Sequence, residues 1–143
     1  MADTYVVGFD GSEQAQRALD FAVANAKDSG ASIHLVFVLE WSPYSFHTAE
    51  ELAERHGRRE KELERANAVI QPAADKLNDA GVKTTCEAHH GNAADILCGR
   101  AKEKGASQII VGRTGGTSFA ERILGGLTIN LLQASPVPIT VVP

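Results

Sequence analysis

Cysteine is nearly missing from this chain. Two thiols, Cys86 and Cys98, stand in 143 residues. They match no zinc or redox spacing and speak against a disulfide-stapled scaffold, so the expected compartment is reducing and cytoplasmic. Basic charge is scarce as well. Fourteen Lys and Arg against 18 Asp and Glu leave a formal net charge of −4, which provides no footprint for nucleic acid or for an anionic membrane. No apolar run approaches the ~20 residues that span a bilayer. Met1-Ala2-Asp3-Thr4 has neither the basic region nor the apolar run of a secretion signal, and none is expected. No nucleophile with a paired base stands out, and no carboxylate pair has a defensible spacing. At most weak catalysis is expected.

What is present reads as one globular domain over residues 1–143, with 43% hydrophobic and 22% charged residues. Thr4 to Phe9 is a short apolar run and reads as a buried strand closed by Asp10-Gly11-Ser12. Ser12 is a candidate N-cap. Ala15, Ala18, Leu19, Ala22, Val23 and Ala26 then form one helical stripe, and Gly30 ends it. Ile33 to Leu39 is a second buried strand. Thr48 or a neighbour can start a helix whose charged stretch, Arg55 to Arg65, reads as a solvated face. Leu63, Ala66, Ile70, Ala73, Ala74 and Leu77 form its buried stripe, and Pro72 is expected to kink it or to open a second segment. Val82 to Ala88 is a third strand, polar enough for an edge. Gly91-Asn92 opens a helix bearing Ala94, Leu97, Cys98 and Ala101. Ser107 to Val111 is a fourth strand. A short helix from about Gly126 to Ala134 and a last strand, Ile139 to Val142, follow. Strands alternating with helices give an α/β, Rossmann-like fold: a parallel sheet with helices on both faces.

The fourth strand runs into Gly112-Arg113-Thr114-Gly115-Gly116, and Gly125-Gly126-Leu127-Thr128 comes shortly after. Strand end, glycine loop and new helix start suit a phosphate, because glycine brings backbone N–H groups close to an anion and a helix N-terminus adds partial positive charge. In parallel sheets ligands sit beyond the strand carboxyl ends, where the winding reverses. If strands one and four are neighbours there, Asp10-Gly11 and the glycine loop line one crevice. No Lys-Ser or Lys-Thr pair closes a glycine cluster, which argues against a P-loop. Gly8-Phe9-Asp10-Gly11-Ser12 lacks the spaced glycines of a dinucleotide fingerprint.

The chain resembles the universal stress protein family from Tyr5 to Val142. The resemblance is carried by Gly112, Gly115 and Gly125 at the family's glycine spacing, by the strand ending in Asp10-Gly11-Ser12, by Gly91-Asn92-Ala93-Ala94-Asp95-Ile96, and by the closing Pro136-Val137-Pro138-Ile139-Thr140-Val141-Val142. It implies five parallel strands in the order 3-2-1-4-5 and a regulatory protein of the stress response that binds ATP, with Mg²⁺ on its phosphates. By position, Asp10 would meet the adenine side with Val38 and with Gly11 beside it. Gly112 and Gly115 would line ribose and phosphates, and Gly125, Gly126, Leu127 and Thr128 would cup the phosphates. It also implies a homodimer through the last strands, with no nucleic acid and no membrane as partners. Gly126 departs from the pattern, which has a hydroxyl residue there. A dimeric interaction module with a vestigial site is the alternative. Arg113 either reaches a phosphate or points to solvent.

Other residues have plainer readings. His89 and His90 are adjacent in a strand and should face opposite sides, which suits no metal. Glu40 reads as a loop carboxylate, Cys98 as a small core hydrophobe, and Cys86 as a thiol with no activating cation. Trp41 and Tyr44 would cover a base or lie in an interface.

Overall fold

The computed structural model describes residues 3–40, 49–113 and 126–143, the side chains of 49–56 excepted. Nine elements alternate along them. β1 (Thr4–Gly8) leads to α1 (Glu13–Ser29), β2 (Ser32–Leu39), α2 (Ala49–Asp79) and β3 (Thr84–His90). α3 (Ala93–Lys104), β4 (Gln108–Gly112), α4 (Gly126–Ala134) and β5 (Ile139–Val142) complete the order. All strand pairs are parallel and the sheet order is β3-β2-β1-β4-β5. The polar third strand is therefore an edge, as expected.

Side-chain alternation sorts the core into two layers. Tyr5, Val7 and Phe9 of the first strand and its extension face α1 and α2, packing with Leu19, Ala22, Ile33, Leu35 and Ile70. Val6 points the other way, to Val36, Leu97, Ile109 and Leu131 beneath α3 and α4. β1 and β4 are buried on both faces, which is why they read as unbroken apolar runs.

Several strand ends shift by a residue or two from expectation. Of the two expectations for Pro72, a second segment is not realised, because α2 is one helix of 31 residues. Proline removes the N–H that would bond the Ala68 carbonyl. Both residues lie on the exposed face, so water can take that carbonyl while buried Ile70 and Ala74 anchor the helix on either side. β3 begins two residues later than Val82 and runs to His90. Val82 is still in the connection, its N–H donating to the Leu77 carbonyl at 2.9 Å, while pairing continues to Leu39 opposite His90.

Candidate nucleotide cleft at the switch point

β1 and β4 are direct neighbours, and their chains leave in opposite directions, one to β2 and the other to β5. A cleft of about 360 Å³ opens beyond their carboxyl ends. Its walls include Val36 and Val38 from β2, Ala93 and Leu97 from α3, and Leu127 from α4. Asp10, Ser12 and Gln14 supply polar groups, and Gly8, Val111 and Gly112 form the strand ends. Apolar walls with a few polar groups at one side are the usual make-up of a small-molecule site, whose volumes run from roughly 300 to 1,000 Å³.

The polar side is set by local turn chemistry. The Ser12 N–H donates to Asp10 Oδ1 at 2.9 Å, an Asx-turn that holds the carboxylate. The Ala15 N–H donates to Ser12 Oγ at 3.2 Å, which makes Ser12 the N-cap of α1. Gly11 between them has φ +80°, a left-handed conformation that a Cβ would strain. The reading of Asp10 as a turn residue and its place at the cleft are both realised.

Of the residues singled out in sequence, the structure brings Asp10, Val38, Gly112 and Leu127 to the cleft. Gly11 sits in the adjoining turn. Gly126 and Thr128 lie in the first turn of α4, flanking Leu127, so the amino end of that helix is at the cleft. Arg113 is exposed and its N–H donates to the Val142 carbonyl at 2.8 Å, prolonging the β4–β5 ladder. Gly115 and Gly125 lie outside the described residues, as do Trp41 and Tyr44.

Gly112 has a structural reason to be glycine. A Cβ there would fall 2.3 Å from the Gln14 carbonyl oxygen and 2.6 Å from its carbon. The end of β4 thus packs against the first turn of α1 with no space for a side chain. At Gly126 a Cβ would meet nothing within 4 Å. Val36 and Gln14 were missed in sequence. Val36 was legible in principle, because it precedes Val38 by two and shares its face. Gln14 carried no signal, since a first-turn glutamine is ordinary.

The remaining candidates fall away from the cleft. Glu40 is exposed just past β2. His89 Nε2 lies 3.0 Å from Glu87 Oε1 on the α3 side. His90 Nε2 lies 3.2 Å from the Arg59 carbonyl of α2. The adjacent pair faces opposite layers, as strand geometry requires. Burial pushes the Cys86 thiol above its ordinary value, with Asp75 and Glu87 adding to it. Burial and Asp95 do the same for Cys98. Neither is activated as a nucleophile.

A model of the universal stress protein family matches residues 1–143. The chain belongs to the universal stress protein family. Its members are stress-response proteins. A universal stress protein of Bacillus subtilis (strain 168) is 26% identical over 155 residues, covering 99% of both chains. The solved structure of the universal stress protein UspA from Lactobacillus plantarum has a TM-score of 0.84 at 20% identity, covering 99% of this chain and 97% of that one. A universal stress protein solved in complex with cAMP has a TM-score of 0.70 at 24% identity, with 99% and 97% covered. These likenesses agree with the five-stranded parallel α/β sheet in the order 3-2-1-4-5. No helix among the described residues is long and apolar enough to cross a membrane.

Proposed function

We propose that this chain is a cytoplasmic regulatory protein of the stress response, a single domain that binds ATP in the cleft between β1 and β4. The observation that carries the reading is the cleft itself: it opens at the reversal of winding, has apolar walls wide enough for a base, and has the amino end of α4 at its side. The base would lie on Val36 and Val38, with Asp10 at its polar edge. Gly112, Gly115 and Gly125 to Thr128 would follow ribose and phosphates, helped by the helix dipole. Arg113, exposed beside the strand end, is within the same region and would meet the phosphates or solvent. ATP would bring Mg²⁺ on its phosphates. The complex of a family member with cAMP supports an adenine nucleotide as the ligand class.

The protein would act as a homodimer. β5 is the sheet's last strand in the order and pairs on one side with β4. Val141 within it is an exposed apolar residue, as are Ile129 and Leu132 of the preceding α4, the last at 67%. A second copy pairing along the β5 edge about a two-fold axis would satisfy its open backbone groups.

Calorimetric titration with ATP and Mg²⁺ tests the binding. Heat with a saturating isotherm is expected, and no heat at millimolar ATP overturns the reading. One observation favours the alternative, a dimeric interaction module with a vestigial site: packing against Gln14 explains Gly112 without any nucleotide. Denaturing the purified protein and assaying the supernatant separates the two, because released nucleotide argues against an empty site.

A further inference from the structure

β2 continues below the cleft wall with a residue that the nucleotide does not require. His34 lies on the same face as Val36 and Val38, two and four residues before them, and is only 3% exposed. Its Nε2 lies 2.9 Å from Glu87 Oε2 on β3, and its Nδ1 lies 2.6 Å from Thr85 Oγ1. A carboxylate only accepts, so Nε2 carries the proton and the Thr85 hydroxyl donates to Nδ1. The other oxygen of Glu87 is bonded by Arg100 Nε of α3, and Arg100 Nη1 donates to Glu103 Oε2 at 2.8 Å. His89 Nε2 lies 3.0 Å from Glu87 Oε1. Strands β2 and β3 are thereby tied to α3 through one carboxylate. Leu97, one turn before Arg100 and Ala101, is a wall of the cleft, and Ala93 at the start of α3 is another.

We propose that His34, Glu87 and Arg100 form an acid-sensitive latch that holds α3 against the sheet and so regulates the nucleotide cleft. This rests on the nucleotide reading above. With His34 neutral, both of its ring nitrogens and both oxygens of Glu87 are paired. Proton uptake places a hydrogen on Nδ1, which forces the Thr85 hydroxyl to turn and accept. It also places a cation in a site closed to water. The groups that face it are Glu87, which favours the charge, and Arg100 and Lys104 of α3, which oppose it. His89 and Glu103 lie one bond further out. Burial is the largest influence on His34 and outweighs Glu87, so its pKa lies below the ordinary histidine value. The fold therefore resists protonation, and acid favours states in which α3 has lifted from β2 and β3.

The test uses the full chain without nucleotide. Hydrogen exchange over α3, corrected for intrinsic rates, is compared at about pH 7.5 and about pH 5.5 in the wild type and in His34→Gln, which can donate to Glu87 and accept from Thr85 but does not titrate. Protection of α3 should fall severalfold more in the wild type than in His34→Gln, because only the wild type carries the titrating group. Equal falls in both proteins overturn the latch. Histidine NMR on the wild type alone covers a variant that fails to fold. His34 must titrate below an ordinary histidine and the α3 amide signals must follow it with the same midpoint; independent midpoints overturn the latch. Adenosine, which has no phosphate to titrate in this range, reports the coupling. Its affinity should weaken on acidification in the wild type and stay level in His34→Gln. Weakening to the same extent in both overturns the regulation. If ATP fails to bind at about pH 7.5 in either protein, the nucleotide reading fails instead, and exchange still decides the latch.

Discussion

Gly112→Ala separates packing from ligand contact at the glycine loop. The new Cβ would sit 2.3 Å from the Gln14 carbonyl oxygen, so the two backbones must part by about 1 Å to reach ordinary contact. Neither side yields easily. Gln14 belongs to the first turn of α1, fixed by the Ser12 cap. Gly112 is paired with Val142, and the next N–H donates to the Val142 carbonyl. Overpacking costs about 1–3 kcal/mol, and a clash with backbone belongs at the upper end. Stiffening of the unfolded chain returns about 0.4–1 kcal/mol, which leaves a net loss of about 2 kcal/mol. With a urea slope of about 2 kcal/mol per molar, the midpoint falls by about 1 M. Gly126→Ala is the matched control, since its Cβ would enter open space in the first turn of a helix. It should hold or gain up to about 1 kcal/mol. The assay is urea unfolding of both variants without nucleotide. If Gly112→Ala keeps the wild-type midpoint, or falls no further than Gly126→Ala, the packing explanation is refuted.

Three further outcomes follow from the structure. Gly126→Ser would restore a hydroxyl at the amino end of α4 without a clash, and a bond to a charged phosphate should tighten ATP by about tenfold or more in calorimetry; weaker binding would place the phosphates elsewhere. Ser12→Ala removes the cap of α1 and should cost about 1 kcal/mol in thermal or urea unfolding, with no change meaning that water replaces the hydroxyl. Stability should fall on acidification. The contribution of His34 is full above its ordinary value near 6.5 and is lost as pH drops through its lowered folded value. For Glu87, burial alone would raise the pKa, but the bonds from Arg100 and His34 outweigh it, so its contribution holds above about 4.5 and is lost further down. Urea unfolding across that range checks the sign, and a rise in stability below pH 6.5 would contradict it.

Particular residues show why some of this was legible in the sequence. Tyr5 to Phe9 and Ile109 to Val111 are unbroken apolar runs because both faces of a central parallel strand are covered. Asp10-Gly11-Ser12 was readable because turn and cap chemistry are local. Pro72 left open whether α2 continues through it, because the cost of the lost bond depends on which way that face points, and that is a tertiary fact. His34 shows the limit most clearly. Within Ser32-Ile33-His34-Leu35-Val36 it reads as one polar residue in a buried strand, and its partner Glu87 lies 53 residues on. Only the parallel register of β2 and β3, which sets His34 opposite Thr85, brings Glu87 within reach on the diagonal. The glycine motif was legible as a pattern, but the clash that explains Gly112 depends on where α1 begins.

The Asx-turn at Asp10 has a consequence for affinity. A carboxylate on a free loop would lose its rotamer freedom when a ligand arrived, a penalty of about 0.5–1.5 kcal/mol per side chain. Here the Ser12 N–H already fixes Asp10 through Oδ1, and each carboxylate oxygen can accept more than one bond. Folding has already set the direction in which Asp10 can accept. On the proposed reading a ligand would have to bring its donor to that spot, so the turn would select by the position of a hydrogen on the incoming molecule more than by its charge.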